Sequence, residues 1–311
     1  MNMQDIKNQF RSGSMTKADY VEAMHAIHKQ LIDYAAFIQP TDVTRIEIAE
    51  GRVVLTCASG LKLQYDDPLD QHVTPLTLLN FDGYEPEDSR MLFRLMADLA
   101  GTGPFTFLDI GANVGWYALS VALRFPAAAV HAFEPVPSTF LNLQKNLAVN
   151  GLANVRAHNL GFMDEAGQVA FYFDPGISGR TSTRNVADDP AALPVACAVT
   201  RLDDLVQAEG IAPDVLKVDV EGAELAVFRG GLETLRRHRP LVFTEMLRKW
   251  AARFGYHPDA ILGLFAELGY RCFFVQDGRL AELERMTEDV AATNFFFLHG
   301  EKHQGLQPPR S

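Results

Sequence analysis

Apolar and polar positions change period along the chain. Tyr20, Met24, Ile27, Leu31, Tyr34 and Ile38 recur at spacings of 4, 3, 4, 3 and 4, which gathers them on one stripe of a helix. Thr16 with Asp19 three residues on supplies a helix start, and Pro40 supplies a stop. A helix is therefore predicted over 17–38. The stripe is too short for a coiled coil; it packs on its own domain or meets a second copy of the chain. Residues 43–65 then alternate. Ile46 and Ile48 precede the turn Glu50-Gly51, Val53, Leu55 and Cys57 precede Ser59-Gly60, and Leu61, Leu63 and Tyr65 follow. This predicts a three-stranded β-meander. Residues 1–13 are polar and read as frayed.

From about residue 86 the pattern becomes strand, helix, strand, helix. Phe105–Ile110, Ala129–Phe133, Val155–Leu160, Leu216–Val220 and Leu241–Thr244 are short apolar runs. Trp116–Arg124 and Ser138–Asn150 lie between them as helices, the second closed by Gly151. Cys272–Val275 and Asn294–Leu298 read as an antiparallel pair. Such alternation predicts an α/β fold, a doubly wound, mostly parallel, Rossmann-like sheet with an antiparallel last strand. The expected division is an N-terminal accessory unit over 1–82, a catalytic domain over 83–300 and a flexible tail over 301–311. The polar stretch 175–193 interrupts the domain as a lid or a loop.

Composition narrows the partners. Of 311 residues, 28 are Lys or Arg and 39 are Asp or Glu, a net charge of −11. An acidic chain does not attract nucleic acid or an anionic membrane through its overall field. Cys57, Cys197 and Cys272 are widely separated and form no C-x-x-C pair. They read as buried thiols in a reducing compartment. No run approaches the roughly 18 apolar residues of a membrane span, and Met1 to Gly13 lack the apolar stretch of a signal peptide. A cytoplasmic protein is expected.

The chemistry concentrates at strand ends. Phe107-Leu108-Asp109-Ile110-Gly111-Ala112-Asn113-Val114-Gly115 is a buried strand running through a Gly-containing turn into a helix. Ligands of doubly wound sheets bind there. Glu134 ends the next strand and can accept both hydroxyls of a ribose. A dinucleotide would use such an acid too, but its fingerprint is G-x-G-x-x-G. Here Asn113 stands at the second glycine, and Asp109 would repel a phosphate. S-adenosylmethionine (SAM), with an ammonium, a sulfonium and no phosphate, suits an acidic turn better. Asp219 and Glu221 close a later strand, and Glu245 closes the one after. Two adjacent carboxylates can bind a divalent cation, position a substrate hydroxyl or include a general base; the metal-free base is favoured.

Asp109-x-Gly111-x-Asn113-x-Gly115, Phe133-Glu134-Pro135, Asn146-Leu147 with Asn150, and Leu216-Lys217-Val218-Asp219-Val220-Glu221-Gly222-Ala223-Glu224 together resemble the FkbM family of SAM-dependent methyltransferases. Thr200-Arg201-Leu202-Asp203-Asp204 fits as well, and the likeness covers about residues 83–276. The resemblance implies that Gly111, Asn113 and Gly115 shape the methionine end of a SAM pocket with Asp109 nearby. It implies that Glu134, beside Pro135, holds the ribose, that Asn159 and Leu160 border the adenine, and that Glu85 folds over the cofactor. Gly161 departs from the small polar residue expected there. Asp219 would serve both cofactor and chemistry, with Glu221 and Glu245 beside it.

The implied activity is O-methylation of a sugar, glycan or secondary metabolite, leaving S-adenosylhomocysteine. N-methylation is the alternative, and an NAD-dependent oxidoreductase or a non-catalytic SAM-binding scaffold stand behind it. His257 reads as a solvated loop residue rather than a base. Arg180 and Arg184 either hold an anionic substrate group or are solvated. Arg236, Arg237, His238 and Arg239 suit a helix C-terminus. His25 and His28 lack a third metal ligand in sequence. A homodimer through the N-terminal helix is the alternative to packing of that helix on its own domain.

Overall fold

The computed structural model describes residues 2–65, 73–81, 83–173, 182–184 and 192–308. The chain begins with α1 (Met3–Arg11) and α2 (Lys17–Phe37), followed by β1 (Val43–Ala49), β2 (Arg52–Cys57) and β3 (Lys62–Tyr65). These strands form the antiparallel meander read from the sequence. Residues 3–11, expected to fray, are helical instead. Asn2 and Asp5 cap each other's backbone amides, and Phe10 stacks on Tyr20 at 4.4 Å.

Next come α3 (Thr74–Asn80), α4 (Pro86–Ala100), β4 (Thr106–Ile110), α5 (Trp116–Arg124), β5 (Ala129–Phe133), α6 (Pro137–Asn150) and β6 (Val155–His158). Three further strands follow, β7 (Gly161–Phe162), β8 (Gly167–Phe173) and β9 (Leu193–Thr200). The chain continues through α7 (Leu202–Glu209), β10 (Val215–Val218), α8 (Glu224–Arg229), α9 (Leu232–His238), β11 (Leu241–Glu245), α10 (Arg248–Arg253) and α11 (Asp259–Glu267). It closes with β12 (Tyr270–Gln276), β13 (Arg279–Leu283) and β14 (Asn294–His299).

Eight strands pair in the order β13-β12-β14-β11-β10-β4-β5-β6. The neighbours from β11 to β6 are parallel, and β14 inserts antiparallel between β11 and β12. The apolar runs are continuous because both faces are covered. Phe107, Val215 and Leu241 enter one core, and Leu108, Leu216 and Val242 enter the other. Strand order reverses between β4 and β10, where such sheets open a ligand crevice.

The β1–β3 meander shares a core with the sheet. Leu55, Cys57 and Leu63 lie in the same apolar cluster as Phe107 and Leu119. Its edge strand is closed by two asparagines of α6. Asn146 Oδ1 accepts the Gln64 amide at 2.8 Å, and its Nδ2 donates to Val114 O at 2.9 Å. Asn150 accepts the Lys62 amide at 2.9 Å and donates to the Lys62 carbonyl at 2.7 Å. Asn146→Ala strands two backbone groups at a buried site. It should lower the free energy of unfolding by about 1–3 kcal/mol, read from the urea midpoint; an unchanged midpoint would detach Asn146 from this role.

Along α2 the apolar stripe is only partly used. Met24 is buried, while Leu31 is 59% and Tyr34 47% exposed. His25 and His28 are exposed on the same helix.

β8 and β9 form a hairpin whose connection is the polar stretch. Of that stretch, Ser182–Arg184 are described, and Ser182 bridges to Tyr172; Arg180 lies outside the described residues. The expected tail is not free over its described part. Residues 304–306 form a 3₁₀ turn, and His303, 1% exposed, accepts the His299 amide through Nδ1 at 3.0 Å. No helix among the described residues is long and apolar enough to cross a membrane.

Candidate active site

The ends of β4 and β10 touch. At Gly111, φ is +77° and a Cβ would stand 1.9 Å from the Asp219 carbonyl oxygen, so only glycine fits. Gly115 (φ +94°) starts α5, where a Cβ would meet Leu143 at 2.4 Å. Between them Asn113 adopts a left-handed conformation, φ 48°. Its amide donates to Glu134 Oε2 at 3.0 Å, and the Val136 amide donates to Oε1 at 2.9 Å. Burial nevertheless raises the Glu134 carboxyl to about 7. Asn159 donates at 2.8 Å to the carbonyls of both Glu134 and Pro135, fixing the strand end that carries the acid.

Lys217 is the hub. Its Nζ lies 3.0 Å from Gly111 O, 3.3 Å from Asp219 and 3.4 Å from Asp109. Parallel pairing sets Lys217 directly beside Asp109. Asp109 is fully buried, and its other oxygen accepts the Ala118 amide at 2.9 Å. Burial raises the Asp109 carboxyl, although Lys217 opposes the shift. For Lys217 burial works against the charge, but Asp219 and Asp109 outweigh it and hold the ammonium above its ordinary value.

Other carboxylates converge on the same opening. Glu85 starts α4 with φ 44° and accepts the Tyr117 hydroxyl; burial raises its pKa. Donor oxygens of Asp219, Glu221 and Glu245 lie within 4.8 Å of one another. Burial, then the charges of Asp219 and Glu221, push Glu245 well above the ordinary range. Glu221 also has a left-handed backbone, φ 52°. Its carbonyl accepts Ser182 Oγ at 2.8 Å. Glu224 accepts the Val220 and Gly222 amides at 3.2 and 3.0 Å, so it braces the loop instead of facing the opening. Three of the six non-glycine residues with positive φ among those described, Glu85, Asn113 and Glu221, line this cleft. Strained backbone of this kind gathers at functional sites.

Aromatic rings complete the wall. Tyr84 lies 4.9 Å from Trp116, Trp116 packs edge-on to Tyr117 at 4.8 Å, and Lys217 Nζ stands 5.3 Å from the Tyr117 ring centre. The volume of this open cleft is about 150 Å³. Eight expected residues line it: Glu85, Gly111, Asn113, Glu134, Pro135, Asp219, Glu221 and Glu245. Asp109, Gly115, Asn159 and Leu160 do not. The first sits beneath Lys217, the second packs on Leu143, Asn159 turns back to its own strand end, and Leu160 packs into the core.

Sequence reading left out Thr74, Trp116, Tyr117, Phe171 and the role of Lys217. Of these only Lys217, a cation inside an apolar strand, left a visible signal. Asn113 Oδ1 and Trp116 Nε1 are buried in the cleft wall without a hydrogen-bond partner.

His257 is exposed and contacts Asp259 at 3.4 Å. Arg184 donates to the Arg253 carbonyl at 2.6 Å and lies over Phe254. At the end of α9, Arg236 pairs with Glu233 and Arg239 with Glu301. All three cysteines are free and buried; burial and the Asp42 charge push Cys57 to about 12, which suits inert core thiols.

The sequence matches the family described as Methyltransferase FkbM domain over residues 109–272, just over half of the chain. It is 28% identical to Methyltransferase 1 of Beauveria bassiana, over 54% of this chain and 74% of that protein. It is 33% identical to 31-O-demethyl-FK506 methyltransferase FkbM of Streptomyces tacrolimicus, over 39% of this chain and 57% of the relative. To 2-O-methyltransferase NoeI of Sinorhizobium fredii it is 27% identical, over 52% of this chain and 71% of the relative.

Proposed function

The chain belongs to the FkbM methyltransferase family, and from that premise we propose that it transfers a methyl group from SAM to a hydroxyl oxygen of a sugar, glycan or secondary metabolite. The carrying observation is the convergence of Glu85, Glu134, Asp219, Glu221 and Glu245 on one cleft at the sheet's switch point. Lys217 is the single cation among the described residues lining it. Such an acidic, aromatic-walled opening attracts a cationic ligand. The unpartnered Asn113 Oδ1 and Trp116 Nε1 offer an acceptor and a donor to a polar one. Membership in a methyltransferase family displaces the nicotinamide reading. Two relatives bear names that specify oxygen, which supports oxygen over nitrogen.

When bound, SAM supplies an electrophilic methyl on a positively charged sulfur. The protein's part is binding, positioning and proton removal. Gly111 lets the β4 turn close against the Asp219 carbonyl, and Glu134, held by two amides, would take the ribose hydroxyls. Glu85 and Asp219 would balance the cationic end. An acceptor hydroxyl needs a base as the new bond forms, and Glu245 would take that proton. The Asp219–Glu221–Glu245 trio is also a set of oxygen donors for a divalent cation. The metal-free base is proposed because Lys217 already neutralises Asp219 at 3.3 Å; turnover unaffected by EDTA would agree, and loss that Mg²⁺ or Mn²⁺ restores would overturn it.

Calorimetric titration with SAM and with NAD, together with transfer of labelled methyl from SAM to hydroxyl acceptors, tests the reading. Tight NAD binding without SAM binding would end it. Hydroxyl donors favour the ionised form of Glu134, so its pKa of about 7 should fall on binding. SAM affinity should then rise with pH, and be about tenfold weaker at pH 6 than at pH 8. Glu134→Gln should flatten that profile; a flat profile in the unaltered protein would remove Glu134 from the ribose. For the exposed face of α2 the proposed partner is a second copy of the chain, which the solution mass decides.

A further inference from the structure

Away from the cleft, three residues that methyl transfer does not use meet at the free edge of the large sheet. His131 lies on β5, His158 ends the edge strand β6, and Glu209 ends α7. Register pairs His131 with Arg156 and Phe133 with His158, which puts both imidazoles on one face. The His158 ring stacks on Phe133 at 4.5 Å, and the two imidazoles are nearly parallel, 14° apart. His131 Nδ1 and His158 Nε2 are 3.3 Å apart. One donor atom from each of His131, His158 and Glu209 lies within 4.8 Å of the others.

We propose that His131, His158 and Glu209 form a binding site for a zinc-class divalent cation. Two nitrogens each held 2.0–2.1 Å from a tetrahedral zinc are about 3.3–3.4 Å apart, so the imidazole pair already stands at a ligand edge. A hydrogen bond alone would account for that distance. It would not account for a carboxylate brought up to both rings from another element. Two imidazoles with one carboxylate are a borderline donor set, suited to Zn²⁺ over Mg²⁺ or Ca²⁺. The ligands must be neutral imidazoles. Glu209 supplies the opposing negative charge and Arg156 a repelling positive one. His131 is buried, His158 half-buried and Glu209 exposed, so the cation has an entry from solvent and a fourth position open to water.

The test uses the full chain, stripped by chelator and titrated with ZnCl₂ by calorimetry, then with Co²⁺ read by its visible absorption. One equivalent of zinc should bind, and Co²⁺ should give the intense bands of a tetrahedral site with nitrogen ligands. Glu209→Gln, an exposed change, should weaken zinc at least tenfold and leave the melting temperature of the metal-free protein in place. His158→Gln should abolish binding; if that variant does not fold, Glu209→Gln decides. No saturable binding overturns the site. So does binding unchanged in both variants, or the weak bands of an all-oxygen octahedral site, which would assign the cation to the Asp219–Glu221–Glu245 trio.

Discussion

Glu245→Gln is expected to lower kcat by two to four powers of ten and to leave the SAM dissociation constant within about threefold. A positioned general base contributes about that much, equivalent to roughly 3–5 kcal/mol of barrier. Glutamine keeps the shape of the strand end and removes only the proton acceptor. Burial and the neighbouring Asp219 and Glu221 raise the Glu245 carboxyl well above its ordinary value, so turnover in the unaltered protein should climb as pH passes through that raised value. The variant should lose the climb. Stability should move the other way. An acid whose folded pKa lies above its unfolded one binds more protons in the native state, and the native state loses stability as pH rises. At pH 8, Glu245→Gln should therefore melt higher than the unaltered protein. Lost turnover with raised melting is the signature of a group kept for chemistry. Turnover within tenfold of the original would move the base elsewhere in the trio, with Asp219→Asn as the next variant.

The largest expected loss of stability is in Lys217→Met. Its ammonium neutralises Asp109, which is fully buried, and Asp219 at the cleft. Removing one partner of a buried pair leaves an uncompensated charge and typically costs about 3–5 kcal/mol. Urea unfolding should show that loss, and Asp109→Asn added to Lys217→Met should recover a substantial part of it. A cost under about 1 kcal/mol would mean that Asp109 takes up a proton instead of standing charged.

The backbone of this architecture was readable because its causes are local. The strands of the main sheet are apolar runs, and the carboxylates that end them, Glu134, Asp219 and Glu245, could be placed at one sheet edge from the doubly wound topology alone. Asp109 shows where that reasoning stops. Alternation sets Lys217 on the same face as Asp219, but only the side-by-side pairing of β4 and β10 shows that the lysine covers Asp109. Asn159 ends a strand as expected, yet its amide turns back to hold Glu134 and Pro135.

Tyr84 precedes α4, whereas Trp116 and Tyr117 open α5, so the ring of the first meets the other two only in the fold. Their sequence neighbourhoods hold no trace of that meeting. The β8–β9 hairpin escaped for another reason. Its apolar positions, Val169, Phe171, Val195, Cys197 and Val199, form a small satellite cluster, split in sequence by the polar stretch. Asn146 and Asn150 carried a family resemblance without a role; the structure shows them gripping the accessory meander.

The position of β14 has a consequence for synthesis. β14 pairs with β11 on one side and β12 on the other, yet it is translated after both. While the ribosome is still making residues 284–293, β11 is a bare sheet edge, and the β12–β13 hairpin has no strand to join it to the sheet. Glu245 pairs in register with Asn294, whose side chain reaches Asp88 of α4 at 3.3 Å. The nascent chain therefore holds every carboxylate of the cleft before the wall that aligns Glu245 exists. The cleft as described is complete only once this late strand has inserted, and until then the edge of β11 stands unpaired and open to wrong pairing.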